Sequence, residues 1–518
     1  MLLPPTDDFC MGTELECLTC VPDDPDRVPQ AVHRLLEILR ELAPSLPGPT
    51  GIFNAYGRIY PDCGHIELAI SEGHSPYVVP LLVERQQLLV REARSRLAAE
   101  QNIQLLLACN NHSGLLERGS PVWGAHENHT IPLHPKRFTQ QILPFLVTRI
   151  FAGAGGIESP TGNYLAAVRP LCMEHAEGGS TTHDRSIHST CREEHHMGAR
   201  PRRFRYHSIL GDGHRSQFNT SLQFGATALA IKAVCHDRQL KQELARMKTW
   251  DSCDWVGMLN QFNVLQQPGG DLQIHHRVLE TQRVYLNAAR RYAEMLDEPP
   301  GWIHETLQDW EDTLSAMETL DRPWLAARLD TFAKYEFYSA VLDDEELSWT
   351  ELPKRPSFFP ELALLDHSYH DFCSEDSVFS LLERDGLLSH RVGPFVLPGQ
   401  EPDPFVPELA TRALARARFI RFHADDDGRY LMDWSGVFDR QQGLVAAIHD
   451  PGATEYSEWE NYRGPKVNDP ESRMDRPHLR RVLESNAEHV DHAGAIGRLL
   501  RRLEEREQRD QQETESPR

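Results

Sequence analysis

Two stretches near the start, MGTELE at 11–16 and GRIYPDCGHIELAI at 57–70, alternate side chains with the period of two that marks strands with one buried face. In the first, Glu14 and Glu16 share a face. In the second, Arg58, Tyr60 and Asp62 share one, while Ile66, Leu68 and Ile70 take the apolar side and leave Glu67 on the open one. If these strands join one sheet, Glu14, Glu16 and Glu67 can meet. Carboxylates gathered in this way repel one another unless cations bind them, and hard oxygen donors beside phosphates are what Mg2+ prefers. Arg58 would add a planar positive fork for phosphate oxygens. Taken alone, the Arg58, Tyr60 and Asp62 trio is explained more simply as a solvated sheet face.

The rest of the chain alternates helical and strand-like segments. A helix is expected over 29–42, a strand pair near 52–71, a helix over 78–99, a strand at 105–108, a strand at HENHTIP and a helix over 136–151. Residues 172–203, rich in His, Gly, Thr and Arg, read as a long loop, followed by a strand at FRYHSILGD and a helix from Ser216. Residues 236–348 read as mainly helical, and a smaller unit follows with a helix over 407–422 and strands around 430–434 and 443–449. The expected division is 1–398, a catalytic α+β domain whose antiparallel sheet is backed by helices, then 399–457, a small C-terminal domain completing the site, then 458–518, a charged helical to disordered tail.

With 54 basic against 77 acidic residues and a net charge of −23, general attraction to nucleic acid or an anionic membrane is not expected. No stretch approaches the roughly 20 apolar residues of a spanning helix, and no secretory leader is legible, so a cytoplasmic location is expected. Cys17 and Cys20 form a CxxC, but no second CxxC completes a zinc site. The histidines His183, His188, His195 and His196 lack metal-ligand spacing.

MGTELE, GRIYPDCGHIELA, WGAHENH, LPFLVTRIFAGAG, RSIHSTCREEHH, RFRYHSILGD, LDHSYHDF and RARFIRFHADDDGRYLMDW occur in that order along the chain. Together they resemble the Pup ligase and Pup deamidase/depupylase family, whose catalytic sheet is similar to that of glutamine synthetase. The resemblance implies a carboxylate-amine ligase using ATP and Mg2+. Glu14, Tyr60 and Glu67 would ligate Mg2+, Arg58 and Trp434 would contact ATP, and Asp62 would be the catalytic base; Glu16 is an added metal candidate. Ile70 stands where the family tends to have a nucleotide-contacting Thr, leaving a backbone contact. Arg192, with Arg185 and Glu193, matches the family's arginine-rich strand and could face phosphates or the tag carboxylate.

The implied partners are a small acidic, disordered Pup-like protein tag and lysine-bearing substrate proteins in a proteasomal degradation pathway. The implied reaction activates the tag's C-terminal Glu as a γ-glutamyl phosphate and joins it to lysine. Family deamidases carry an extra loop between the first glutamate strand and the Arg-Tyr-Asp strand; the short connection here resembles the ligase. Hydrolysis of a C-terminal Gln or isopeptide bond stays open, as do an amidoligase acting on a carrier peptide or small molecule and a non-catalytic tag receptor. His126 and Glu127 of HENH alternate across a strand, so only one of them can face the site, and family context favours Glu127 or Asn128 nearby. Arg412, Arg416, Arg418 and Arg421 concentrate basic charge on the 407–422 helix, with Arg412 and Arg416 one turn apart, and that helix is expected to help hold the acidic tag by charge steering and coupled folding.

Overall fold

The computed structural model describes residues 9–109, 111–112, 114–117, 120–181, 183–190, 204–247, 250, 253–392, 411–426 and 428–461. An eight-stranded sheet forms its centre. Its strands are β1 (Met11–Cys20), β2 (Leu46–Pro47), β3 (Ile52–Asn54), β4 (Gly57–Asp62), β5 (His65–Ile70), β6 (Leu106–Ala108), β7 (Ala125–Ile131) and a later strand, Phe204–Gly211. Short strands β8 (Gly156–Ile157) and β9 (Tyr164–Leu165) lie in a separate sheet. Strands β10 (His175–Gly178) and β11 (Ser186–Ser189) pair in parallel, so Phe204–Gly211 is β12. The order is β12-β7-β1-β5-β4-β3-β2, with β6 added beside β1, and every ladder in it is antiparallel.

Alternation along β1, β4 and β5 gives this sheet two chemically different faces. Leu15, Cys17, Ile59, Ile66 and Leu68 pack beneath it with residues of α1 (Val28–Leu42) and α2 (Val78–Gln101). In α1 the buried residues Ala31, Val32, Leu35, Ile38 and Leu39 recur at helical spacing, and Pro29 sits in the first turn, where its missing N–H is no loss. Removing one such leucine would cost about 2–5 kcal/mol. The opposite face carries the polar side chains.

Two tight hairpins set that face. Between β4 and β5 the turn residues Cys63 and Gly64 both have positive φ, 45° and 91°, as a two-residue hairpin turn compatible with strand twist requires. Gly57 opens β4 at φ 141°, and a Cβ there would lie 2.1 Å from the Ala69 carbonyl oxygen. No side chain fits between these two strands at that point.

The expected helix over 136–151 is shorter: α3 (Thr139–Thr148) is flanked by 3-10 turns, and Arg149 leaves the helical region at φ −82°, ψ 59°. The supposed loop at 172–203 contains β10 and β11, whose ladder the residue composition did not signal; 191–203 lie outside the described residues. The expected helical region holds, as α4 (Gln217–His236), α5 (Arg238–Arg246), α6 (Trp255–Asn263), α7 (His276–Glu294), α8 (Gly301–Thr319), α9 (Arg322–Ala326) and α10 (Asp330–Asp344). Strand β13 (Val264–Gln266) completes the small sheet with β9 and β8. After α11 (Phe359–His370) and α12 (Val378–Arg384) come α13 (Arg412–His423) and a four-stranded sheet, β14 (Tyr430–Asp433), β15 (Gly436–Asp439), β16 (Leu444–Ala447) and β17 (Glu460–Asn461).

Ile420, Tyr430, Met432, Val437 and Ala446 of this last segment share an apolar cluster with Leu46 and Phe53 of the central sheet. The expected boundary at 398/399 and the tail beyond 461 fall outside the described residues. No helix among the described residues is long and apolar enough to cross a membrane.

Candidate functional site

Strand register arranges the polar face in rungs. Arg58 lies opposite Ala69, Ala69 opposite Glu14, and Glu14 opposite His126. In the neighbouring rung Tyr60 lies opposite Glu67, and Glu67 opposite Glu16; at the hairpin Asp62 pairs with His65. Directly opposed side chains project to one side of a sheet. Glu14, Glu16, Arg58, Tyr60, Asp62 and Glu67 are therefore brought together on one surface, as alternation alone had implied.

Tyr60 donates its hydroxyl hydrogen to Glu67 Oε1 at 2.5 Å. Burial raises the Glu67 carboxyl well above the usual range, and the neighbouring charge of Glu14 pushes it the same way, against the Tyr60 hydrogen bond. Burial likewise raises the Tyr60 phenol. Glu14 behaves oppositely. Burial would raise it, but Arg205, then His126 and His207, outweigh this and hold it well below the ordinary value.

Arg205 donates to Glu14 Oε1 at 2.7 Å and Asn128 Nδ2 donates to the same oxygen at 3.2 Å. His126 stands 3.5 Å from both Glu14 Oε2 and Glu16 Oε1. Glu16 is also held by the Gly124 amide at 2.8 Å and approached by Arg169 at 3.8 Å. Against the tendency of burial, His126, Arg169 and that amide keep it ionised.

The donor set suits a hard divalent cation. Glu14 and Glu67 supply carboxylate oxygens, Tyr60 supplies a third oxygen, and the buried Glu67 carboxyl is short of positive charge. Asp62, His65 and Glu67 each offer a ligand atom within 4.8 Å of one another, as do Glu14, His126 and His207. Asp62 itself is exposed at the end of β4, open to an incoming group.

Beside this face lies an open cleft whose walls include Gly12, Glu14, Ala69, Asn128, Arg205 and Trp434. Trp434 meets Phe53 edge-on, with ring centroids 5.1 Å apart. Ile70 also lines the cleft and belongs to the apolar core. Arg58 lies just beyond. Its guanidinium donates to the Thr50 carbonyl at 2.8 and 3.1 Å and sits 4.2 Å from the Tyr60 ring centroid. Arg192 is outside the described residues.

Two expectations need correction. Alternation places Glu127 on the far side of β7, fully buried 2.6 Å from Arg149, so of the HENH candidates it is Asn128, with His126, that faces the carboxylates. Arg412 and Arg416 cannot steer a tag from solvent. They are 3% and 2% exposed, and both ion-pair with the Glu72 carboxylate. The sequence reading missed Arg205 and His207, which a strict period-two reading of FRYHSILG would have put on one face.

A family model described as Pup-ligase protein matches residues 26–438. The Pup–protein ligase of Brachybacterium faecium is 28% identical over 389 residues, covering 71% of this chain and 76% of that protein. That of Nakamurella multipartita is 29% identical over 416 residues, covering 76% and 85%. Among solved structures, the complex between the prokaryotic ubiquitin-like protein Pup and its ligase PafA matches with a TM-score of 0.67 at 19% identity, over 95% of this chain and 97% of the other. PafA in complex with ADP matches with a TM-score of 0.59 at 18% identity, over 90% and 95%. At those identities the two structures establish a shared fold.

Proposed function

The chain belongs to the Pup-ligase family, and from that premise we propose that it is an ATP-dependent ligase joining the C-terminal Glu side chain of a small acidic Pup-like tag to lysines of substrate proteins. The observation that carries the reading is the rung of Tyr60, Glu67 and Glu16 next to that of Arg58 and Glu14, bordering a cleft walled by Trp434. In this reading the cleft takes the nucleotide, with Trp434 against the base and Arg58, Ile70 and Arg192 as further contacts. Glu14, Tyr60 and Glu67, with Glu16 beside them, would hold Mg2+, which when bound offsets the phosphate charge.

A carboxylate is inert to amines until one oxygen becomes part of a leaving group, and transfer of the γ-phosphoryl group to the tag's glutamate supplies that. Asp62 then accepts a proton from the approaching lysine ammonium, whose ordinary pKa near ~10.4 leaves it without a free lone pair. The amine nitrogen bonds to the glutamyl carbon, and inorganic phosphate departs. Arg205, already on Glu14, adds positive charge at the same edge of the cleft.

The same proposal covers the division into a catalytic unit over 1–398, a small unit over 399–457 and a tail over 458–518; the cluster joining Phe53 to Met432 supports a small unit that completes the site. It also covers a cytoplasmic setting. The test is product analysis with Mg-ATP, tag peptides ending in Glu or Gln and a lysine-bearing acceptor. Joining of the Glu peptide, lost in Asp62→Asn while nucleotide binding persists, is expected. Conversion of Gln to Glu without joining would refute the ligase reading.

A further inference from the structure

Glu72 follows β5 by two residues and receives two arginines from α13. Arg412 donates to its Oε1 at 2.5 Å, and Arg416 ion-pairs with Oε2. Thr411 donates through its hydroxyl to the Glu72 carbonyl at 2.9 Å. The carboxylate is largely buried, and burial alone would raise its pKa, yet the two arginines hold it at about 2, so it is charged throughout the working pH range.

Both arginines go on to hold the nucleotide-side wall. Arg416 donates to the Trp434 carbonyl at 3.0 Å and lays its guanidinium 4.9 Å from the centroid of the same residue's ring. Arg412 donates to the His449 carbonyl at 3.4 Å. Glu72, Arg412 and Trp434 all line the cleft. A carboxylate two residues past β5 thus holds, through forked and charge-assisted bonds, the backbone and ring of the tryptophan that walls the cleft.

We propose that Glu72 is a positioning residue for nucleotide binding: with Arg412 and Arg416 it clamps the C-terminal segment beside β5 and fixes the orientation of Trp434 in the cleft wall. The inference rests on the reading of this cleft as the nucleotide site. The clamp acts through Trp434, so its effect belongs to nucleotide affinity and not to tag affinity. Arg→Lys at 416 keeps the charge but loses the planar group that both forks onto Glu72 and stacks on the ring.

The test is a double-mutant cycle on ADP affinity in the full chain with Mg2+, using Glu72→Gln and Trp434→Ala, alongside KM for ATP and for the tag. Glu72→Gln is expected to weaken ADP by about tenfold or more and to raise KM for ATP while KM for the tag stays unmoved; added to Trp434→Ala it should weaken ADP little further. Equal and additive losses, or a parallel rise in both KM values, would overturn the clamp and leave the nucleotide site standing. Absence of ADP binding by the unmodified chain would overturn the nucleotide reading and the clamp with it. If Glu72→Gln does not fold, Arg416→Lys replaces it in the same cycle, with the same expectations and the same refuting outcomes.

Discussion

Glu127→Gln is expected to destabilise the chain by roughly 3–5 kcal/mol, the cost of leaving one member of a fully buried ion pair uncompensated. Arg149 is 1% exposed at its side chain and Glu127 0%, with 2.6 Å between them; the remaining contacts of the guanidinium, Thr227 Oγ1 at 2.7 Å and Ser208 Oγ at 3.4 Å, are neutral. The same magnitude follows from titration. Burial would raise the Glu127 carboxyl, but Arg149 and His129 hold it at about 2. Against an unfolded value near ~4.3, that is roughly 3 kcal/mol. Because the folded pKa is the lower one, this stability is fully present above about pH 4.3 and is lost as pH falls toward 2. Urea unfolding followed by limited proteolysis at pH 7 measures the loss. Glu127→Gln with Arg149→Met should recover at least half of it, since a neutral pair of similar volume leaves no buried charge. A single-variant loss under about 1 kcal/mol, or simple additivity in the double variant, would refute the reasoning.

Other expectations concern the site directly. Gly57→Ala should lower stability by roughly 3 kcal/mol or more and displace Arg58 and Tyr60, because its Cβ would meet the Ala69 carbonyl at 2.1 Å in a backbone conformation of positive φ. An unchanged unfolding midpoint and unchanged nucleotide affinity would contradict this. Binding of Mg2+ with nucleotide should release protons, chiefly from the raised Glu67 carboxyl, and affinity should increase with pH. Calorimetry in buffers of different ionisation enthalpy reads the proton, and equal apparent enthalpies in all of them would show that Glu67 was already ionised.

Much of the candidate site was legible because period-two alternation fixes which side chains share a side. Glu14, Glu16, Arg58, Tyr60, Asp62 and Glu67 needed only that rule and a common sheet. What alternation cannot supply is strand order. That β7 and β12 flank β1, bringing His126, Asn128, Arg205 and His207 onto Glu14, depends on pairings between residues far apart in sequence. Charge was a poorer guide than periodicity. Arg412 and Arg416 looked like a solvent-facing basic stripe, and only their shared partner on another element, Glu72, shows that they are buried and ion-paired. Trp434, taken alone, resembled a core residue, and it is in fact both packed against Phe53 and part of the cleft wall.

The central claim is activation of the tag's glutamate by phosphoryl transfer, and the position of an oxygen label tests it most directly. A tag peptide with its terminal Glu side-chain carboxylate doubly labelled with heavy oxygen is incubated with the enzyme, Mg-ATP and a lysine-bearing acceptor, and the released phosphate is weighed. A γ-glutamyl phosphate attacked by the amine leaves one carboxylate oxygen on phosphorus, so each joining event should yield one phosphate bearing a single heavy oxygen. Isopeptide product accompanied by unlabelled phosphate would contradict the account.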